Sequence, residues 1–160
     1  MQPQLSKLNT WKRHEQRVCQ IFTKALLILM EKPGLIQDED ELNRELYFCL
    51  LEANRYYYEL GQGIDSPPTY DAKNQPSDVH KRKAPREEKR PDFQWGYIDN
   101  NESDPRKSSK LFCIECKRLG QAISNWILNE NYVNHGILRF VSEEHSYALD
   151  VESGAMVGYI

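Results

Sequence analysis

Leu111-Phe112-Cys113-Ile114-Glu115-Cys116-Lys117 sets two charged residues inside an apolar run. In a β-strand side chains alternate between faces, so Phe112, Ile114 and Cys116 point one way while Cys113, Glu115 and Lys117 point the other. One face is then core, and the other carries an acid and a base. Upstream, Arg90-Pro91-Asp92-Phe93-Gln94-Trp95 opens a second strand-like run at 92–98, where Phe93, Trp95 and Tyr97 alternate with Asp92, Gln94 and Gly96. If the two runs pair, Asp92 and Glu115 converge.

The chain around these strands reads as follows. The polar, turn-rich span 99–109 closes a hairpin between them. Beyond Gly120, residues 122–141 read mostly helical, with Ile123, Ile127, Val133, Ile137, Leu138 and Val141 apolar and with interruptions around 129–131 and at Gly136. A crossover helix after the second motif strand is what a return to the sheet requires. Residues 155–160 read as the returning strand. At the other end, a first helix starts at a cap near Asn9-Thr10 and stops at Pro33-Gly34, with Trp11, Val18, Phe22, Ala25 and Leu29 as its stripe. The apolar run 26–30 widens that stripe, serving either the chain's own core or a homodimer contact. Asp38 opens a second helix with Glu41 three residues on, as in a capping box. Leu42, Leu46, Cys49, Leu50 and Ala53 form its buried face. Of Tyr56, Tyr57 and Tyr58, at least one packs and another is exposed. From the second helix onward the order is helix, strand, strand, helix, strand.

Residues 61–89 carry Gly61, Gly63, Pro67, Pro68, Pro76 and Pro85 with few aliphatics, and no helix or strand is assigned there. Between 80 and 90 the six cations Lys81, Arg82, Lys83, Arg86, Lys89 and Arg90 face only Glu87 and Glu88. That segment is +4, whereas the whole chain is -3. A loop this long is either a basic arm that tracks phosphates or a solvated insertion.

At 160 residues, with 28% charged and 39% hydrophobic content, the chain suits one globular domain and neither a disordered nor a membrane protein. Its longest apolar run is far short of the ~20 residues a spanning helix needs. Cys19, Cys49, Cys113 and Cys116 lie in apolar, regular segments and no secretory signal is visible, so a reducing cytoplasm fits better than a disulfide framework. Cys113 and Cys116 form a Cys-x-x-Cys, but three-residue spacing in a strand sends the sulfurs to opposite faces, and no second pair completes a zinc site. The four histidines are scattered.

Pro91-Asp92 followed across a hairpin-length gap by Glu115-Cys116-Lys117 resembles the signature of the PD-(D/E)xK nuclease superfamily. The resemblance implies a restriction-endonuclease-like α/β core, a central mixed sheet flanked by helices, here with an additional N-terminal helix. On that view 1–160 is a single nuclease-like domain. It has an N-terminal helix (1–34), a long basic loop or insertion (61–90), and catalytic strands, crossover helix and final strand (91–160). The family also has a strand before the Pro-Asp strand, which is not identifiable in this loop. Implied with the fold is Mg2+-dependent phosphodiester hydrolysis, with Mn2+ able to substitute. Asp92, Glu115 and Lys117 would be the catalytic residues. Asp92, Glu115, the main-chain carbonyl of Cys116 and either Glu41 or Glu45 from the preceding helix would be the ligands. Lys81, Arg82, Lys83, Arg86, Lys89, Arg90 and Arg118 would hold the backbone of a nucleic acid, DNA before RNA. A two-fold homodimer would suit the cutting of both strands. The rival expectation is a nuclease-like fold that has become a silent binding or assembly module.

Overall fold

The computed structural model describes residues 3–71, 90–120, 128–141 and 152–160. Helix α1 (Pro3–Glu31) begins ahead of the cap expected at Asn9-Thr10. A proline in the first turn has its φ already helical and needs no N–H there, so the helix extends to it. It stops before Pro33, and Gly34 takes φ +72°, a left-handed turn that suits glycine. Helix α2 (Glu39–Glu59) starts as expected. The Asp38 carboxylate accepts from the N–H groups of Asp40 (3.1 Å) and Glu41 (3.3 Å), satisfying two of the donors that a helix start leaves open.

The chain divides into two compact units, Met1–Pro68 with Trp95–Ser109, and Thr69–Gln94 with Lys110–Ile160. In the first, α1 and α2 pack on each other. Val18, Ile21, Phe22, Ala25 and Leu29 are buried on α1, and Leu42, Leu46, Cys49, Leu50 and Ala53 on α2. The run 26–30 is split: Leu29 is core, while Leu27 and Met30 are exposed. Past α2, the Asn54 amide pins the chain by donating to Ile64 O (2.8 Å) and accepting from its N–H (2.9 Å). Trp95, fully buried, donates its indole N–H to Ser66 O at 2.9 Å. Trp11, His14 and Tyr97 cluster with ring centroids 5.3–6.2 Å apart, and burial lowers the His14 pKa. Among the tyrosines, Tyr57 is half-buried and Tyr56 and Tyr58 are exposed.

Among the described residues four strands form one mixed sheet in the order β1 (Thr69–Tyr70), β2 (Phe93–Ile98), β3 (Ser109–Arg118), β4 (Ser153–Tyr159). β1 is antiparallel to β2, with Thr69 opposite Gln94 and Tyr70 opposite Phe93. β3 and β4 run parallel, in register from Phe112–Ser153 to Arg118–Tyr159. The protein is therefore α/β with a four-stranded mixed sheet. β1 is the strand that the sequence did not disclose; two residues after Pro67-Pro68 are too few for any alternation to show. The 99–108 connection closes with Asp99 N–H donating to Ser108 O (2.8 Å) around a short 3-10 turn, Pro105–Lys107.

Between β3 and β4 the helical segment consists of α3 (Leu128–Tyr132), a π turn (Val133–Ile137) and α4 (Leu138–Val141). The expected break at Gly136 is thus a local widening of the helix, while 129–131 is helical. The segment packs on the sheet at glycines. A Cβ at Gly136 would run into Met156 and press on the Lys117 stem, and one at Gly154 would run into the Phe140 ring. Parallel pairing on β4 and this helical cover leave β3 buried on both faces from Phe112 to Lys117. The face expected to carry an acid and a base does so, and both are buried there: Glu115 and Lys117 are 0% and 5% exposed. Among the described residues, no helix is long and apolar enough to cross a membrane.

Candidate functional site

A strand end and a strand centre bring the motif residues together, all within the second unit. Asp92 immediately precedes β2, after a buried Pro91. Its backbone carbonyl accepts from Asp71 N–H (3.0 Å), and its side-chain Oδ2 accepts from Cys116 N–H at 2.6 Å. The first carboxylate is thereby tied to the backbone of the strand that carries the second. Glu115 and Lys117 are two residues apart on β3 and so share a face. Lys117 Nζ lies 3.2 Å from Glu115 Oε1 and 3.9 Å from Asp92 Oδ2, and donates to Cys116 O at 2.7 Å. One ammonium thus touches both carboxylates and the carbonyl between them.

Arg139 of α4 is a fourth member. Its Nη1 ion-pairs with Glu115 Oε1. Both cations engage the same oxygen, while Glu115 Oε2 is buried without a hydrogen-bond partner among the described residues. Burial and the neighbouring Asp92 charge raise the Glu115 pKa to about 7, against the pull of Arg139 and Lys117. Sequence reading missed Arg139. The signal was present: Ile137-Leu138-Arg139-Phe140-Val141 sets one charge in an apolar run, the pattern that singled out Glu115 and Lys117.

The raised pKa has a thermodynamic consequence. The folded chain keeps the Glu115 proton up to about pH 7, whereas the unfolded chain releases it near 4.5. Between those values the folded state binds more protons. The stabilisation is complete below the lower value and is lost as pH rises through the upper one. In metal-free buffer, wild-type stability should fall relative to Glu115→Gln across this window by a few kcal/mol, at about 1.4 kcal/mol for each pH unit crossed. Urea unfolding of both proteins at several pH values measures it; parallel pH profiles would contradict the assignment.

The other expected residues are placed separately. Glu41 is exposed in the first turn of α2, with its N–H on Asp38; Glu45 is half-buried and ion-paired to Lys32 Nζ at 2.9 Å. Both belong to the first unit. Arg90 is ion-paired with Asp71 (3.2 Å), and Arg118, half-buried, ends β3 opposite Tyr159. Lys81, Arg82, Lys83, Arg86 and Lys89 lie outside the described residues. All four cysteines are free. Burial pushes the Cys113 thiol up to about 12 and that of Cys116 well above its ordinary value, which disfavours a free thiolate at either.

Asp92 Oδ2 and Glu115 Oε2 are hard oxygen donors, the kind a small divalent cation takes. That donor set fits Mg2+ or Mn2+. Cys116 O already accepts from Lys117, but a carbonyl has a second lone pair to give. Among the described residues no three His, Cys, Asp or Glu side chains gather as a metal cluster. Comparison with protein-family models, with curated proteins and with solved structures gives no match to this chain.

Proposed function

We propose that this protein is a Mg2+-dependent nuclease that hydrolyses phosphodiester bonds in DNA, with a restriction-endonuclease-like arrangement of its sheet. The observation that carries the reading is the Asp92–Glu115–Lys117 constellation, with Glu115 and Lys117 buried and one ammonium within 4 Å of both carboxylates. Further support comes from the strand order. The two strands bearing Asp92 and Glu115-Cys116-Lys117 are neighbours, a helical crossover follows, and the last strand returns parallel.

Asp92, Glu115 and the Cys116 carbonyl would hold a divalent cation, which would supply Lewis-acid polarisation and an activated water. The residues supply the rest. Asp92, fixed through Cys116 N–H, keeps its carboxylate at the mouth of β2, where it is the more exposed of the two acids. Glu115 offers Oε2 from a dry position where its charge is weakly screened. Lys117, clamped by the Cys116 carbonyl, stands where it can orient the attacking water and offset charge growing on the phosphate oxygens. The basic residues between 81 and 90 would add sequence-independent hold on the backbone.

Incubation of wild type with supercoiled plasmid, single-stranded DNA and RNA, each with Mg2+, Mn2+ or EDTA, tests the reading. Cutting of DNA that needs the cation is expected. A protein inert on all three substrates with either metal would sink it. One observation favours the rival, a silent binding module: Arg139 already neutralises Glu115 from within. Retention of labelled duplex without cleavage, equal with and without metal, is the outcome that reading requires.

A further inference from the structure

The Arg139–Glu115 contact is poorly made for a purely structural pair. A guanidinium and a carboxylate bury best as a fork, two parallel N–H···O bonds that satisfy both partners. Here a single nitrogen, Nη1, meets a single oxygen, Oε1, which it shares with Lys117 Nζ. Glu115 Oε2 and Arg139 Nε are both buried and both lack hydrogen-bond partners among the described residues. An orphaned acceptor and an orphaned donor on the two members of one ion pair each carry a desolvation cost that a rotated fork would remove. Charge points the same way. With both carboxylates ionised, Asp92, Glu115, Lys117 and Arg139 sum to zero, so a divalent cation arriving there leaves a double positive excess that only an anion relieves. Arg139 is the cation best placed to take that anion. Lys117 is 6% exposed and locked to Cys116 O, whereas Arg139 is 27% exposed. It also follows a π turn, a local irregularity often found where a helix serves a site.

We propose that Arg139 is an exchanging cation of this site: it pairs with Glu115 until a divalent cation takes Glu115 Oε2, and it then turns its guanidinium to a non-bridging oxygen of the nucleic-acid phosphodiester. The inference rests on the nuclease reading. It makes metal and polyanion binding mutually reinforcing, since each removes a charge that opposes the other.

The test uses binding rather than turnover. Mn2+ affinity is measured by calorimetry at mildly alkaline pH for wild type, Arg139→Met, Arg139→Lys and Asp92→Asn. Affinity for a fluorescein-labelled DNA duplex is measured in Ca2+, to hold the complex uncut. In Arg139→Met, Mn2+ should bind about fivefold more tightly, because its competitor for Glu115 is gone, while duplex in Ca2+ should bind about tenfold more weakly. Arg139→Lys keeps the counter-charge and the fold. It should hold Mn2+ as wild type does and bind duplex with intermediate affinity, lacking the planar fork. Opposite-signed changes are the signature, since a merely structural Arg139 would lower both affinities together. Mn2+ binding that Asp92→Asn abolishes but that is unchanged or weaker in Arg139→Met overturns the exchange and leaves the nuclease reading standing. Wild type that binds no Mn2+ overturns both.

Discussion

Asp92→Ala should lower the cleavage rate by at least about a thousandfold, and Lys117→Ala by about a hundred- to a thousandfold, the range expected when a metal ligand or a charge-stabilising donor is lost. The two losses should differ in kind. On the proposed reading Asp92 does two things: its carboxylate would ligate the cation, and its Oδ2 holds Cys116 N–H at 2.6 Å, setting β3 against the start of β2. Asp92→Asn can keep the second role through its amide oxygen while losing the charge. It should therefore fold like wild type, bind metal poorly and cut no better than the alanine variant. Lys117→Ala leaves both carboxylates in place with one fewer cation beside them. Metal binding should persist or tighten while cleavage fails, because the group that orients the water and meets the phosphate charge is missing. Calorimetry with Mn2+ and initial rates on supercoiled plasmid separate the two. Cutting that survives in Asp92→Asn would remove this carboxylate from the chemistry.

Trp95→Ala should destabilise the protein by about 3–5 kcal/mol, the usual cost of emptying a fully buried aromatic site. Trp95 is 0% exposed, and its indole N–H is the partner of Ser66 O at 2.9 Å. Truncation removes the largest fully buried side chain among the described residues and orphans a carbonyl in one step. Trp95→Phe refills most of the volume but not the hydrogen bond, and should cost nearer ~1–2 kcal/mol. For a chain of this size the alanine change corresponds to a fall in Tm of about 10 °C. Thermal unfolding followed by far-UV circular dichroism checks both. A Trp95→Phe variant as unstable as Trp95→Ala would assign the effect to the Ser66 hydrogen bond rather than to volume.

What the sequence disclosed depended on how many residues shared a signal. α2 was legible because Leu42, Leu46, Cys49, Leu50 and Ala53 recur on one face and Asp38 marks the start; all five are buried and Asp38 caps the helix. β3 and β4 were legible from apolar runs bounded by glycine or polar residues. β1 was not, since a two-residue strand is defined by its partner and by nothing of its own. Burial on both faces of β3 also escaped reading. Glu115 and Lys117 alternate with apolar residues just as a half-solvated strand would, and only the pairing with β4 and the helical segment over it close the second face. For the site, local motifs gave Asp92, Glu115 and Lys117. Arg139 comes from a helix 24 residues beyond Glu115 and reaches it through the crossover, a contact that no short spacing encodes. Glu45 shows the converse. Its position on the flank of α2 suited a metal, and the partner it has is Lys32, just past the end of α1, which no helical spacing encodes.

The pairing of β3 with β4 bears on how the nascent chain survives its own synthesis. Phe112 to Arg118 pair in parallel with Ser153 to Tyr159, so this strand leaves the ribosome well before the one that completes it. During that interval Phe112-Cys113-Ile114 is a sticky β-forming stretch with an open edge, the kind of segment that recruits other chains into aggregates. Glu115 and Lys117 interrupt it at alternate positions. While still hydrated, they resist stacking against identical strands, acting as gatekeepers until Arg139 and the last strand arrive to cover them. Neutralising both to improve packing would be expected to yield a protein that is less soluble when expressed.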